Sequence, residues 1–259
     1  MSDLSTSWQK ILNDAISQPG VIHDAYTRFH SYSIGNQLLA LFQCSARGIQ
    51  PGPIATFVRW KELGRYVRKG EKALTLCMPV SCKAKHTARD QQGQETEQEI
   101  AFTRFVYRNQ WFVLAQTEGA EYQAEPLPDW DESRALAALA IERTRFDELD
   151  GNIQGFASGR KVAINPVAAM PAKTLFHELA HVVLGHTAEA SMNDGSERTP
   201  RSLREVEAEC VALLCCESLG LPGAEFSRGY IQSWGSEIPE RSAQKIFHAA
   251  DQILKSGVR

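Results

Sequence analysis

The segment Thr174–His181, which reads Thr-Leu-Phe-His-Glu-Leu-Ala-His, places two histidines four residues apart in an apolar run. In an α-helix, positions i and i+4 share a face, so His177 and His181 can direct ring nitrogens at one metal ion. The run begins near Pro171, which suits a first helical turn, and ends at Gly185, which suits a helix end. The alternative is a helix with two core histidines, but burying ionisable side chains without a partner costs free energy. We therefore predict a metal-binding helix.

Glu178 adjoins the first of these histidines and gives the site a candidate general base. The pattern His-Glu-x-x-His is typical of zinc peptidases, in which the histidines hold the ion and the glutamate stays unbound. From there Glu178 could take a proton from a water that the metal activates, and later return it to a leaving amine. The pattern predicts Zn²⁺ as the cofactor, with another divalent metal as the alternative.

A third ligand is expected from a second helix, and residues 203–216 form an apolar segment that three glutamates interrupt. Glu205 and Glu209 share a helix face, so we predict Glu205 as the ligand and Glu209 as the carboxylate that orients a ligating imidazole. Glu207 stays open as an alternative ligand, and each glutamate could instead be solvated in a charged first turn. His186 is expected to favour the negative end of the metal helix, with metal binding as the less favoured alternative.

Composition and charge indicate a globular chain whose halves differ. Of the 259 residues, 43% are hydrophobic and 23% are charged, as in ordinary soluble proteins. Residues 1–120 hold 14 Lys and Arg against 10 Asp and Glu, whereas the remainder holds 14 against 21. Residues 121–131 include two prolines and have the composition of a linker. We predict an N-terminal domain of residues 1–120, a linker of residues 121–131 and a C-terminal domain of residues 132–259.

The location of the protein is predicted from segments that the sequence lacks. No run approaches the roughly 20 apolar residues of a membrane span, and the N-terminus has no basic region followed by an apolar one. The six cysteines form no Cys-x-x-Cys pair and are expected to pack as free thiols in a reducing compartment. We expect a cytoplasmic protein with no membrane partner; the oligomeric state is left open.

Periodicity predicts an α+β fold, with helices and an antiparallel sheet in the N-terminal domain and mainly helices in the C-terminal domain. Helices are expected over residues 8–18, 33–47, 55–63, 132–145 and 239–254. Strands are expected over residues 66–67, 72–80, 100–107, 111–114 and 161–164. Residues 108–110 are expected to form a turn, residues 83–99 a polar hairpin loop and residues 189–200 another polar loop.

Basic residues concentrate between Arg47 and Arg89, where ten Lys and Arg stand against two Glu. Within this stretch, cations alternate with Trp60 and Tyr66 around glycines, a combination that can hold single-stranded nucleic acid by base stacking and phosphate contacts. The alternative is that both aromatics are core residues and the basic turn is merely solvated. The candidate DNA-binding residues are Asn36, Arg59, Trp60, Lys61, Arg65, Tyr66, Arg68, Lys69 and Lys72.

Two separated groups of motifs along the chain point to one family. The N-terminal motifs are Ser33–Asn36, Trp60 with Leu63 and Gly64, Val67–Lys72 and Trp111–Gly119. The C-terminal motifs are Thr174–His186, the helix Glu205–Cys215 and Gly229–Trp234. Together these motifs resemble the ArdC antirestriction proteins. The resemblance implies an N-terminal single-stranded-DNA-binding domain joined to a zincin-like metallopeptidase domain, encoded on a mobile element and protecting incoming plasmid DNA from host restriction. By position, the basic turn of Arg68, Lys69 and Lys72 would belong to the DNA-binding domain, and His177 and His181 with the Glu205 helix would hold the metal.

The metal helices are also similar to those of ImmA/IrrE-type peptidases. Those proteins carry Glu-x-Glu-Ala-Asn where this chain has Glu205-Val-Glu-Ala-Glu209. The departure replaces Asn by Glu209, a longer acid that can still orient a histidine. The choice of ligand among Glu205, Glu207 and Glu209 stays open at this point.

Three functions compete on these patterns. The first is antirestriction by a protein that coats the entering single strand, with single-stranded DNA as its partner. The second is a DNA-tethered zinc protease that cleaves a protein target such as a restriction subunit, whose extended chain could pair with the strand of residues 161–164 by edge addition. The third is a protein-interaction module in which zinc only holds the fold together.

Overall fold

The computed structural model describes residues 7–89, 95–148, 150, 152–188 and 200–258, and for residues 85–89 and 95–100 it describes the backbone alone. The described helices are α1 (Trp8–Ser17), α2 (Val21–Phe29), α3 (Ile34–Arg47), α4 (Phe57–Glu62), α5 (Glu132–Leu139), α6 (Pro171–Val183), α7 (Arg201–Ser218), α8 (Ala224–Trp234) and α9 (Glu240–Gly257). The described strands are β1 (Ile54–Thr56), β2 (Arg65–Val67), β3 (Leu74–Arg89), β4 (Glu95–Val113), β5 (Thr117–Gly119), β6 (Glu142–Arg143), β7 (Gly155–Ser158) and β8 (Lys161–Ile164). None of these helices is both long and apolar enough to cross a bilayer.

The strands form three small sheets. Strands β1, β4 and β3 pair in that order and antiparallel, and β2 pairs antiparallel with β5. In the third sheet β8 is central, parallel to β6 and antiparallel to β7. The predicted α+β class, with antiparallel sheets in the N-terminal region and mainly helices after them, is confirmed.

The chain divides into two compact units, of which the first joins residues 1–38 to residues 124–259 and the second spans Leu39–Gln123. The sequence-based N-terminal domain of residues 1–120 therefore differs from the compact unit in its first 38 residues. The reason is that α1 and α2 are amphipathic, and their buried faces pack on α9 and α7 respectively. The predicted linker also ends in packed structure, because Trp130 contacts Phe176 with ring centroids 4.9 Å apart.

The helical unit is held together by a buried ion pair as well as by apolar packing. Arg228 on α8 pairs with Glu217 on α7, and both residues are almost completely buried. Glu217 also accepts hydrogen bonds from the backbone N–H groups of Gly20 and Ile22, at 2.7 and 3.3 Å. Arg228 donates to the carbonyl oxygens at the end of α1. The pair therefore fixes the turn between α1 and α2 against the C-terminal helices.

The second unit has a small core beneath the sheet of β1, β4 and β3. Trp60, Leu74, Leu76 and Val113 are fully buried there. The two long strands differ from the prediction: residues 108–110 lie inside β4 instead of forming a turn, and β3 and β4 extend through most of the expected loop of residues 83–99. Register explains the change, since cross-strand pairing continues from Thr75 opposite Asn109 to Arg89 opposite Glu95 despite the polar sequence.

Other sequence predictions are confirmed with shifted ends, while some elements were missed. The helices of residues 8–18, 33–47, 55–63 and 239–254 are present as α1, α3, α4 and α9, and the strand of residues 161–164 is β8. The expected helix of residues 132–145 stops at Leu139, where Ala140 turns to positive φ and β6 follows. Helices α2 and α8 and strand β7 were not predicted. Most of the expected loop of residues 189–200 lies outside the described residues. All six cysteines are free thiols, and five of them are buried.

Candidate metal centre

Helix α6 carries the His-Glu-x-x-His pattern as predicted, with Pro171 in its first turn. Its buried side consists of Leu175, Phe176, Leu179, Ala180 and Val182. Both histidines are mostly shielded, with side chains 16% and 13% exposed for His177 and His181. Helix α7 packs along α6, which brings Glu205 and Glu209 to these rings.

Three side chains converge in the geometry of a metal site. The Nε2 atoms of His177 and His181 lie 3.0 Å apart, and Oε2 of Glu205 lies 3.5 Å from the first and 3.6 Å from the second. Ligand atoms about 2.1 Å from a tetrahedral zinc ion should lie about 3.4 Å from one another. Within the described residues this trio is the group of His, Cys, Asp and Glu side chains that could hold a metal ion. The observed triangle and its donor chemistry therefore fit a divalent ion such as zinc.

Glu209 lies behind the first histidine, on the side away from the convergent nitrogens. Its Oε1 is 3.3 Å from Nδ1 of His177 and 2.7 Å from Nζ of Lys173. The side chain is almost completely buried, and the ammonium group compensates its charge. Burial raises the pKa of Glu209, but His177 and Lys173 outweigh it and lower the pKa to about 2. This position suits the predicted role of orienting the ring.

Glu207 and His186 occupy positions that the sequence did not indicate. Glu207 points away from the three convergent groups, is 1% exposed, and has its Oε2 2.9 Å from Nε2 of His186. Nδ1 of His186 lies 3.0 Å from Nδ1 of His181. The structure thus places Glu207 outside the trio and His186 between a buried carboxylate and a candidate ligand. The missed signal was that His186 lies five residues after His181, just past the end of α6, where its backbone N–H donates to the carbonyl of His181 at 2.8 Å and its ring returns to the site.

Glu178 lies beside the trio in the wall of a cleft. The cleft has a volume of about 450 Å³ and is lined by Gln154, Gly155, Ala169, Met170, Lys173, Thr174, His177, Glu178, Glu209 and Phe226. Glu178 is 8% exposed, and burial is the main cause that raises its pKa to about 7, although nearby His177 opposes the shift. A carboxyl group with such a pKa exchanges protons readily near neutral pH.

The two candidate ligand rings differ in proton affinity. Burial lowers the pKa of His177, but Glu205, Glu209 and Glu178 more than reverse this and raise it to about 9. Burial and the neighbouring His177 lower the pKa of His181 to about 4. The carboxylates therefore surround His177 with negative potential, and Glu205 adds negative charge where the Nε2 atoms converge, which favours a cation bound there.

The sequence predicted that an extended peptide could pair with the strand of residues 161–164, and the order of strands in the sheet corrects this prediction. Strand β8 is paired on both sides, by β6 and β7, so it offers no edge. Strand β7 pairs only with β8 among the described strands, and its Gly155 borders the cleft. A Cβ at Gly155 would come within 2.8 Å of Thr174 and 3.3 Å of Glu178. The glycine therefore permits close approach of the sheet edge to α6.

The candidate DNA-binding residues separate into exposed and buried groups. Trp60 is fully buried, and its Nε1 donates to the carbonyl of Phe112 at 2.8 Å, so it is a core residue and cannot stack on a base in this structure. Its place in α4, capped by Thr56, turns the ring inward. Tyr66, by contrast, is 56% exposed. Asn36 is half-buried and belongs to the other compact unit.

The basic side chains lie on the surface of the second unit. Arg59, Lys61, Arg68, Lys69 and Lys72 are exposed, and Arg65 is half-buried. Arg59 pairs with Glu62 and Arg68 with Glu71, at 3.0 and 2.9 Å, whereas Arg65 donates to Thr117 and Ala120. The three lysines form no ion pair with other described residues. The turn of residues 68–72 therefore presents unneutralised positive charge.

Comparison with known proteins gives two kinds of match. Residues 1–108 match the family model described as the N-terminal domain of anti-restriction factor ArdC. The Mn(II)-bound crystal structure of the antirestriction ArdC protein from plasmid R388 aligns with 96% of this chain and 97% of its own, at 22% identity and a TM-score of 0.52. The metal-free structure of that protein aligns with 98% and 95%, at 24% identity and a TM-score of 0.49. No curated protein sequence matches the chain significantly.

The fold and the site together define an α+β protein that carries a candidate metal centre on two packed helices. The match of residues 1–108 to the family model and the shared fold confirm the resemblance to the ArdC antirestriction proteins that the sequence motifs indicated.

Proposed function

We propose that this protein is an antirestriction protein of a mobile element, which binds single-stranded DNA in the cytoplasm and protects incoming plasmid DNA from host restriction. The observation that carries the proposal is the match of residues 1–108 to the N-terminal domain of an anti-restriction factor. A protein that occupies the entering strand would deny a restriction enzyme its substrate without chemical change to the DNA.

The basic turn of residues 68–72 supports the DNA-binding part of this proposal. Arg68, Lys69 and Lys72 are exposed in it, and Tyr66 lies just before it with an accessible ring. Cations beside an exposed aromatic ring suit a single strand, because phosphates bind the cations while a base stacks on the ring. The ion pair of Arg68 with Glu71 and its bond to the carbonyl of Ala115 hold the turn in place.

We propose that His177, His181 and Glu205 hold a divalent metal ion, with zinc the first candidate. The convergence of their ligand atoms and the Mn(II) ion in the R388 protein both support it. When bound, such an ion would supply Lewis acidity towards a carbonyl group or a water molecule. The chain's own residues divide the remaining work: Glu209 orients one ring, and Glu178 can accept or donate a proton at its carboxylate beside the cleft.

The second candidate function is a DNA-tethered zinc protease that cleaves a protein of the restriction system. Glu178 favours it, because a metal that only holds the fold together needs no proton-transferring carboxylate beside an open cleft. The edge of β7 could align an extended substrate next to that cleft. The DNA-binding half would then bring the cleft to proteins that act on DNA.

The test is plasmid protection against restriction in cells that express one of four proteins. The proteins are the wild type, Glu178→Ala, a basic-turn variant (Arg68→Gln, Lys69→Gln, Lys72→Gln), and a control that removes three exposed charges elsewhere (Arg145→Gln, Lys161→Gln, Arg241→Gln). DNA occupancy predicts that protection survives in Glu178→Ala and the control but falls in the basic-turn variant. Loss of protection in Glu178→Ala, with unchanged binding to single-stranded DNA, would overturn occupancy and favour the protease.

A further inference from the structure

A long two-stranded ribbon in the second unit has no role in the proposed function. Strand β1 pairs with β4 only from Trp111 to Val113. Beyond that point β3 and β4 pair with each other alone among the described strands. From Leu74 to Ala84 the ribbon is about 34 Å long, at about 3.4 Å per residue. The start of the ribbon packs on the core, where Leu74 and Leu76 are fully buried. Over residues 79–84 and 101–110 its side chains are half-buried or exposed on both faces.

Three aromatic rings of β4 stand in that solvent. Phe105 is 68% exposed, Phe102 47% and Tyr107 44%. Large apolar rings clustered on one exposed element are unusual on a monomer surface and mark a contact site. Phe105 and Tyr107 are two residues apart and share one face of the strand, whereas Phe102 lies on the opposite face.

The charge of the ribbon has one sign where its side chains are described. Residues 74–84 and 101–113 contain Lys83, Arg104 and Arg108 and no Asp or Glu. Arg104 and Arg108 are exposed and form no ion pair within the described part of the chain. Alternation along β4 puts both arginines on the face of Phe102, whereas Phe105 and Tyr107 lie on the other face with Lys83. Each face therefore combines an aromatic ring with a cation.

This chemistry favours a polyanion with stackable bases over other occupants. A second copy of the chain would bring arginines against arginines, which opposes pairing of the two ribbons. The ribbon also continues from the basic turn, because β3 begins two residues after Lys72. A strand of DNA bound at the turn would meet the base of the ribbon next. There the phosphates could bind the arginines, and the bases could stack on the aromatic rings.

We propose that the two faces of the ribbon of β3 and β4 form a second contact region for single-stranded DNA. On one face Arg104 and Arg108 bind phosphates beside Phe102, which stacks on a base, and on the other face Phe105 stacks on a base. This inference rests on the proposed DNA-binding function and extends it beyond the basic turn. It assigns the exposed rings to base stacking, which tolerates any sequence because every base has an aromatic face.

The experiment measures binding of a fluorescent thirty-nucleotide oligo-dT to the full chain over a series of salt concentrations. The arginine variant (Arg104→Gln, Arg108→Gln) should bind about tenfold or more weakly at low salt. Its plot of log affinity against log salt should also be shallower by about 1.4, since each phosphate contact on a single strand contributes about 0.7. A charge-matched control in the other unit (Arg145→Gln, Arg241→Gln) should bind like the wild type.

The aromatic arm of the experiment uses Phe102→Ala with Phe105→Ala, and Phe57→Ala as the control, since Phe57 is 53% exposed in the same unit. The double variant should lose about fivefold or more in affinity for each ring, with little change in salt dependence. Thermal unfolding midpoints within a few degrees of the wild type would show that the loss is not misfolding.

The outcomes separate the inference from the function on which it rests. If the wild type does not bind oligo-dT, the proposed DNA-binding function fails. If the wild type binds and the ribbon variants match their controls, the ribbon has no DNA role and only this inference fails. Ribbon variants that bind DNA normally but no longer protect plasmids would show that the ribbon contacts a protein, which also overturns it.

Discussion

The metal centre and the basic turn carry their charges in opposite ways. At the candidate metal centre, carboxylates and imidazoles are partly or almost completely buried and contact one another, from Lys173 through Glu209 to His177. In the basic turn, Lys69 and Lys72 stand in solvent. Buried charges interact strongly and in fixed geometry, whereas exposed charges are screened and adaptable. The first arrangement suits an ion of one size, and the second suits a long flexible polyanion.

The largest expected effect is a loss of stability on substitution of Trp60, a candidate DNA-binding residue that the structure places in the core. Trp60→Ala should lower the free energy of unfolding by about 3–5 kcal/mol, because it removes a fully buried ring and leaves the carbonyl of Phe112 without its donor. Urea unfolding would measure this. Tyr66→Ala is the matched control and should cost little stability, since its ring is exposed. Equal effects of the two substitutions would contradict the division into buried and exposed residues.

The same comparison explains how much the sequence could predict. Spacing of four residues on a helix fixes which side chains share a face, so His177 and His181 could be paired from sequence alone. The third group, Glu205, required the packing of a second helix, and the sequence could only narrow it to three glutamates. The positions of His186 and Glu207 depend on how α6 ends and α7 approaches. Local periodicity predicts neither the way α6 ends nor the way α7 packs against it.

For the candidate DNA-binding residues, the sequence indicated which residue types lie together but not whether their side chains point inward or outward. An aromatic residue among cations has the same local pattern whether its ring points inward or outward, and Trp60 and Tyr66 took opposite directions. The long ribbon was also hidden, because a polar segment such as residues 83–89 pairs in register only once β4 lies beside it. Tertiary pairing overrode the local preference for a loop.

Removing a candidate ligand should have the next largest effect. His177→Ala is expected to weaken binding of Zn²⁺ or Mn²⁺ at least a hundredfold, because two of the three converging groups cannot hold the ion in the same geometry. Isothermal titration of the metal-stripped protein gives the affinity. His248→Ala is the control, since this histidine is exposed on α9 and outside the trio. Unchanged metal affinity in His177→Ala would contradict the proposal that His177, His181 and Glu205 hold the ion.

The contacts that link Glu207 through His186 to His181 should make a smaller contribution to the affinity for the metal ion. His186→Ala is expected to weaken metal binding by about 10–100-fold, because the ring of His181 loses the contact at 3.0 Å that fixes it. Glu207→Gln should weaken it less, since the amide oxygen can still accept a bond from His186. If His186→Ala changes only the stability of the metal-free protein, these contacts stabilise the fold and do not position the ring of His181.

The smallest effect concerns a buried charge away from the metal, where burial is not balanced by a cation in direct contact. Asp251 accepts a hydrogen bond from the backbone of Ile34 at 2.8 Å, and burial raises its pKa to about 6 although Lys255 and His248 oppose the shift. The folded state therefore binds a proton on Asp251 that the unfolded chain releases between pH 6 and pH 4. Because the folded pKa is the higher one, this group destabilises the fold at neutral pH and ceases to do so as the pH falls through that window.

Asp251→Asn isolates this contribution, because the amide oxygen can keep the bond to Ile34 without the charge. We expect the variant to gain about 1–2 kcal/mol over the wild type at pH 7.5, and the difference to shrink as the pH falls towards 4. Urea unfolding of both proteins across this range gives the difference directly, which cancels the titration of the metal-centre groups. The Cys215 thiol also faces Asp251, but its pKa is raised well above this range, so it stays neutral throughout. A difference that is independent of pH would mean that Asp251 is ionised at its ordinary pKa, and that burial alone does not distinguish the charges of the helical unit from those of the basic turn.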